Sequence, residues 1–158
     1  MNLCCDVLKA LAGKTLSAAE SCTGGMIGQM LTSVPGASSV YKGGIISYWS
    51  AVKEELLGVD ARVLRKYGPV SAPVAEMMAA GVRKALASDI SVSVTGLAGP
   101  DGDEFGHRVG TVFVGYADGK NQIVKEFHFP GNREEVRCQA VEAALKLILE
   151  CVNEEKLC

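Results

Sequence analysis

The chain reads as a single three-layer α/β/α domain built on a mixed β-sheet. Three observations predict it. Short apolar runs alternate with helix-period segments from the N-terminus to Thr95, the order of a parallel sheet with helices on both faces. Two alternating runs, 110–117 and 122–129, then flank Asp118-Gly119, a hairpin signal that forces at least one antiparallel strand into the sheet. The 158 residues are 48% hydrophobic and 22% charged, the balance of one globular core, with no repeat, low-complexity tract or linker.

Each element has its own warrant. Residues 2–12 carry Leu3, Val7 and Leu11 at helical spacing, and Ala12-Gly13-Lys14 ends that helix. Thr15 to Ala19 is a short strand. Met26 to Thr32 is helical, with Met26, Ile27, Met30 and Leu31 apolar, and 34–38 is a turn-rich loop. Gly43 to Tyr48 reads as a buried strand. Ser50 is placed to cap a helix over Ala51 to Leu57, and a second short helix spans Ala61 to Tyr67. Ser71 reads as the N-cap of a helix reaching about Ala87, with Pro73 in the first turn, where its missing N–H is no loss. Val74, Met77, Met78, Val82 and Leu86 are its core face. Ile90 to Thr95 is a short strand, and 96–108 is a polar, Gly-rich loop. Asn132 with Glu135 forms a capping box for a last helix reaching about Val152, beyond which the tail to Cys158 is expected to fray.

Composition excludes several classes. A net charge of −2 with scattered Lys and Arg gives no nucleic-acid footprint. No apolar run approaches the ~20 residues that span a bilayer. The N-terminus lacks the basic and apolar regions of a signal peptide, so a cytoplasmic chain with reduced thiols is expected. The six cysteines include no Cys-x-x-Cys pair, so no zinc site is expected, and the reading needs no metal or cofactor. Neither His107 nor His128 sits in a triad or ligand pattern, and neither is given a role. Homo-oligomerisation is left open.

The chemistry concentrates in Glu20-Ser21-Cys22-Thr23-Gly24-Gly25, between a strand and a helix. Glycines there let the backbone approach a ligand, and the helix N-terminus favours an anion or an oxyanion. Taken alone, Ser21 serves equally well as an N-cap. Cys22 reads as a small packed side chain. Tyr48 and Lys53 follow the next strand. A lysine whose pKa is lowered by burial can act as the base for a serine, although spacing alone favours an ordinary solvated lysine here. Trp49 reads as a packing residue or pocket wall. Thr95-Gly96-Leu97-Ala98-Gly99-Pro100-Asp101-Gly102, again after a strand, is a ligand loop of small residues. Arg133 and Arg137 open the last helix, where a cation opposes the dipole and needs another partner. For Arg137 a substrate phosphate and an i, i+3 pair with Glu134 are equally good readings.

Taken in order, Ala19–Gly25, Tyr48 with Lys53, Gly68-Pro69-Val70-Ser71, Thr95–Gly102, Val109-Gly110-Thr111-Val112 and Arg133 with Arg137 resemble the CinA C-terminal domain family, also known as nicotinamide-nucleotide amidohydrolase. The resemblance spans about Leu11 to Val152. It implies the three-layer fold and hydrolysis of nicotinamide mononucleotide to nicotinate mononucleotide and ammonia. It implies Ser21 as nucleophile and Lys53 as base, with Tyr48 beside them. It places Thr95 and Arg137 in the site. For such a reaction, main-chain N–H groups near Thr23, Gly24 and Gly25, or at Gly96, are the expected oxyanion donors against the substrate. The chain resembles the stand-alone form of a family whose larger members add a pyrophosphatase-like domain. The alternative is a nucleotide-binding or regulatory module of the same type without turnover. Two departures stand out. Tyr48-Trp49-Ser50-Ala51-Val52-Lys53 replaces a Tyr-Ser-Asn-x-x-Lys pattern, with Ser50 expected to cap as Asn would. His107-Arg108 stands where Lys-Pro is usual.

Overall fold

The computed structural model describes residues 2–155. They form α1 (Leu3–Ala10), β1 (Leu16–Glu20), α2 (Met26–Thr32), a 3-10 turn (Ala37–Ser39), β2 (Tyr41–Ile46), α3 (Ser50–Leu57), α4 (Ala61–Tyr67), α5 (Ala72–Leu86), β3 (Ile90–Gly96), β4 (Thr111–Ala117), β5 (Gln122–His128) and α6 (Arg133–Glu155). The strands form one sheet in the order β2-β1-β3-β4-β5. β2, β1 and β3 are parallel, with Leu16 opposite Ile90 and Glu20 opposite Val94. β4 runs antiparallel to β3, and β5 antiparallel to β4. The mixed three-layer sheet is therefore as the sequence predicts.

The sheet buries both faces. On one side α1, α2 and α6 cover Leu16, Ala18, Val92, Val94, Val112 and Val114. On the other, α5 lies against β1, β3 and β4, with α3 and α4 stacked outside it around Leu57, Leu64, Val74, Met78 and Val82. β3 carries Ser91 and Ser93 toward α5, and both are fully buried. Their hydroxyls donate to the Ala79 and Ala75 carbonyls, each at 2.6 Å, which satisfies them without water. Gly81 brings α5 and α3 into contact: a Cβ there would lie 1.9 Å from the Leu57 carbonyl oxygen.

Several local expectations are corrected. β2 is an edge strand with alternating exposure, not a buried one, because only β1 pairs with it. Its pairing ends at Ile46, so Ser47 and Tyr48 already belong to the loop that follows. α3 begins at Ser50 itself, with Trp49 in the capping position and no side-chain cap, so Ser50 does not replace the usual Asn as a cap. Ser71 has N-cap geometry, but its hydroxyl donates to the Gly68 carbonyl at 2.9 Å instead of capping α5. The hairpin expected at Asp118-Gly119 is present, with 118–121 between the strands; the Asp118 carboxylate accepts from the Lys120 and Asn121 N–H groups, each at 2.7 Å. The capping box of α6 is present, with Glu135 N–H on Asn132 Oδ1 at 3.0 Å and Asn132 N–H on Glu135 Oε2 at 2.7 Å. That helix runs through Glu155, so the fraying expected from Asn153 does not begin by there; residues 156–158 lie outside the described ones.

Candidate active site

Ser21 stands one residue past β1, and its N–H continues the sheet by donating to the Val94 carbonyl at 3.0 Å. Ser47, just past β2, donates its N–H to the Glu20 carbonyl at 2.7 Å. The ends of two adjacent parallel strands are thereby locked together, the crevice position that ligands occupy in open α/β sheets. α3 follows at once and turns Lys53 and Leu57, one helical turn apart, toward the interior. Lys53 is only 1% exposed. Its ammonium donates to Ser21 Oγ at 3.1 Å and to the Ser47 carbonyl. The solvated lysine that spacing alone favours is therefore not what the fold builds. Burial pushes the Lys53 pKa down from 10.5 to about 8.

The turn that carries Ser21 is held from both sides. Glu20, the last residue of β1, is 2% exposed. Its carboxylate accepts from the N–H groups of Gly25 at 3.0 Å, Ile27 at 3.2 Å and Gly28 at 3.1 Å. Gly24 donates to the Ser21 carbonyl at 3.0 Å, and Met26 to that of Thr23 at 3.1 Å. Arg137, half-buried on α6, donates to the carbonyls of Cys22 at 2.9 Å and Thr23 at 3.2 Å. The N-terminus of α2 is thus already occupied by an internal carboxylate, so it is not the anion site that the sequence suggests. Sequence reasoning missed Glu20. The available signal was a helix opened by Gly25, which has no side chain to cap with, and an acid five residues before it. Burial pushes the Cys22 thiol up to about 11, which keeps it protonated and fits the packed-side-chain reading. Thr23 is fully buried, with no partner for its Oγ1.

A cavity of about 230 Å³ opens over Ser21 and Lys53. Tyr48 and Ser50 line it together with Pro69, Val70, Thr95 to Gly99 and Asp101. Thr95 is buried, and its hydroxyl donates to the Pro69 carbonyl at 2.7 Å, tying the loop before α5 to the end of β3. Arg133 also lines the cavity; its guanidinium donates to the Gly99 carbonyl at 2.6 Å and to the Tyr48 hydroxyl at 3.1 Å. The fold therefore brings Ser21, Lys53, Tyr48, Thr95 and Gly96 to one crevice, with Thr23, Gly24 and Gly25 in the adjoining turn. Arg137 lies behind that turn, not among the lining residues, and it makes no ion pair with Glu134. Trp49 is 74% exposed and neither packs in the core nor lines the crevice. His107 pairs with Asp103 at 2.8 Å within the loop before β4. Among the described residues no three His, Cys, Asp or Glu side chains cluster as a metal site, and no helix is long and apolar enough to cross a membrane.

Comparison with known proteins agrees with this fold. The model of the CinA C-terminal domain matches residues 3–152. A CinA-like protein of Synechococcus sp. (strain CC9311) is 57% identical over 115 residues, 72% of this chain and 27% of that protein. A CinA-like protein of Gemmatimonas aurantiaca is 45% identical over 137 residues, 86% of this chain and 32% of that one. The chain spans about a third of the length of the curated relatives it matches. Two solved CinA superfamily proteins share the fold. One from Escherichia coli has a TM-score of 0.93 at 32% identity, covering 95% of this chain and 88% of that one. One from Klebsiella pneumoniae has a TM-score of 0.94 at 30% identity, covering 96% of each. With the match running from Leu3 to Val152 and so through every strand of the sheet, the chain belongs to the CinA C-terminal domain family.

Proposed function

We propose that the chain is an amidohydrolase that uses Ser21 and Lys53 to cleave the carboxamide of nicotinamide mononucleotide. The observation that carries the reading is the buried 3.1 Å contact between Lys53 Nζ and Ser21 Oγ. A fully buried lysine without a carboxylate partner is costly to keep, and its lowered pKa leaves a useful fraction neutral near pH 8. Neutral Lys53 takes the Ser21 proton as Oγ bonds to the amide carbon. The protonated lysine then gives that proton to the departing nitrogen, directly or through Tyr48, as the C–N bond breaks and ammonia leaves. Water attacks the acyl-enzyme, Lys53 again takes a proton, and Ser21 is regenerated with nicotinate mononucleotide as product.

The oxyanion needs main-chain donors. Gly24 and Gly25 have theirs committed, to Ser21 O and to Glu20. Of the expected donors the reading keeps the N–H groups of Thr23 and Gly96, and it adds that of Cys22, next to the nucleophile. The cavity of about 230 Å³ is smaller than the roughly 300–1,000 Å³ of a typical ligand pocket. It suits the carboxamide ring, with the rest of the nucleotide lying across the mouth.

Ammonia release from nicotinamide mononucleotide by the purified protein tests the reading. Wild type should turn the substrate over. Ser21→Ala should lose several orders of magnitude in kcat with an unchanged fold by circular dichroism. Absence of ammonia from wild type would favour the binding module without turnover.

A further inference from the structure

The crevice holds one cation that the reaction at Ser21 does not use. Arg133 is the first residue of α6, where a positive charge opposes the helix dipole, so its placement asks for a reason. Its side chain is exposed and meets no carboxylate among the described residues. Instead it links two lining segments: one amino group donates to the Gly99 carbonyl after β3, the other to the Tyr48 hydroxyl after β2. Both partners are neutral, and neither demands a guanidinium. Lys53 is buried against Ser21, and Asp101 is the one carboxylate among the lining residues. Arg133 is therefore the positive group at the mouth that a substrate anion can reach. Arg137, by contrast, is held by the Cys22 and Thr23 carbonyls behind the nucleophile turn.

We propose that Arg133 recognises the phosphate of the substrate and that this recognition is coupled to Tyr48. A phosphate monoester displaces the Tyr48 hydroxyl and the Gly99 carbonyl from the guanidinium, because a bidentate charge-assisted pair outcompetes two neutral acceptors. Tyr48, 58% exposed and so free to turn, then directs its hydroxyl to the departing nitrogen. Before substrate arrives, the same side chain holds both the phosphate handle and the proton relay out of action. The proposal rests on the amidohydrolase reading for its consequence in turnover, but not for the exchange of partners. It makes Arg133 a specificity-determining residue whose effect falls on kcat as well as KM. A nicotinamide riboside molecule, with the same amide and no phosphate, can enter the site without releasing Tyr48.

Two sets of measurements test it. The first needs no activity. Inorganic phosphate is titrated calorimetrically into wild type, Arg133→Ala and Arg137→Ala, and into protein carrying ring-labelled [13C]tyrosine. With four tyrosines in the chain, the Tyr48 signal is assigned by its loss in Tyr48→Phe. Phosphate should bind wild type and Arg137→Ala but not Arg133→Ala, and it should move the Tyr48 signal only where Arg133 is present. The second reads kcat/KM. Wild type should prefer the mononucleotide to the riboside by roughly 10²-fold or more. Added phosphite should raise riboside turnover saturably in wild type, and both effects should collapse in Arg133→Ala. Undiminished phosphate binding in Arg133→Ala, or a Tyr48 signal that ignores bound phosphate, overturns the proposal. So does a mononucleotide preference that survives Arg133→Ala. If phosphate binds and moves Tyr48 through Arg133 but no substrate releases ammonia, the coupling stands and the amidohydrolase reading falls.

Discussion

Lys53→Met should yield a protein that is inactive yet more stable than wild type at neutral pH. Met fills nearly the same space without the charge. The native pKa of about 8 against 10.5 in an exposed lysine means that folding works against the proton on Lys53. At 1.36 kcal/mol per pH unit, that interval amounts to about 3 kcal/mol of destabilisation, present in full below pH 8. The variant also loses the hydrogen bonds to Ser21 Oγ and Ser47 O, at ~1 kcal/mol each. The balance is a gain of about 1 kcal/mol at pH 7, or a Tm higher by about 2–4 °C for a chain of this length. The sign then changes with pH. Above pH 8 native Lys53 sheds its proton while the unfolded chain still holds it, so wild type gains stability on the variant up to pH 10.5. The penalty has fallen to the value of the lost hydrogen bonds near about pH 9, and above that wild type is the more stable. Thermal melts of both proteins followed by circular dichroism from pH 6 to 10 read this directly, because titrations elsewhere cancel in the difference. A variant that melts below wild type at pH 7, or a difference that does not move with pH, would refute the reasoning.

Other outcomes follow from the same geometry. Wild-type kcat/KM should rise about tenfold per pH unit below pH 8 and level off above it, and Lys53→Arg, which cannot give up its proton, should be nearly as inactive as Lys53→Met in the same assay. Glu20→Gln must aim its amide group at one of three main-chain N–H donors, so denaturant melts should show a loss of about 1–3 kcal/mol and kinetics a fall in kcat larger than the rise in KM. Arg137→Ala should lower turnover of mononucleotide and riboside by the same factor, because it loosens the nucleophile turn without touching the phosphate; a selective loss of the mononucleotide would return the phosphate to Arg137. Gly81→Ala should push α3 away from α5, lowering stability by about 1–3 kcal/mol and activity with it, since Lys53 rides on α3.

Where the chain had to make local structure from local signals, the sequence was legible. The Asn132–Glu135 box, the turn at Asp118, the helix with Pro73 in its first turn and the alternation of strand and helix are all short-range chemistry, and the order of the strands' directions follows from them. Three features were not legible because they depend on packing at a distance. Lys53 looks like a surface lysine beside Glu54 and Glu55 until α3 is laid against α5. β2 looks buried until the sheet order leaves it at the edge, with Ile46 54% exposed. Glu20 looks like one residue of a motif until its side chain is seen to fold back over the turn it precedes. Of the two arginines on α6, spacing along the helix could not tell which faces the crevice. In the fold Arg133, in the first turn, lines the cavity, while Arg137, in the second, is held by the Cys22 and Thr23 carbonyls.

The ties that complete the crevice join very distant parts of the chain. Ser21 and Lys53 are 32 positions apart, but Tyr48 and Arg133 are 85 apart, and Cys22 and Arg137 are 115 apart. Long-range contacts of this kind form late, because a long loop must be closed before they contribute. During synthesis Ser21 and Lys53 can therefore meet while α6 has yet to emerge, but the turn beneath the serine then lacks Arg137 and Tyr48 lacks Arg133. A refolding chain should regain its sheet and its Ser–Lys contact first and its full reactivity toward an acylating probe only when the C-terminal helix docks. On that order of events α6 acts as a timer: the turn that carries Ser21 gains its last ties only when this helix docks.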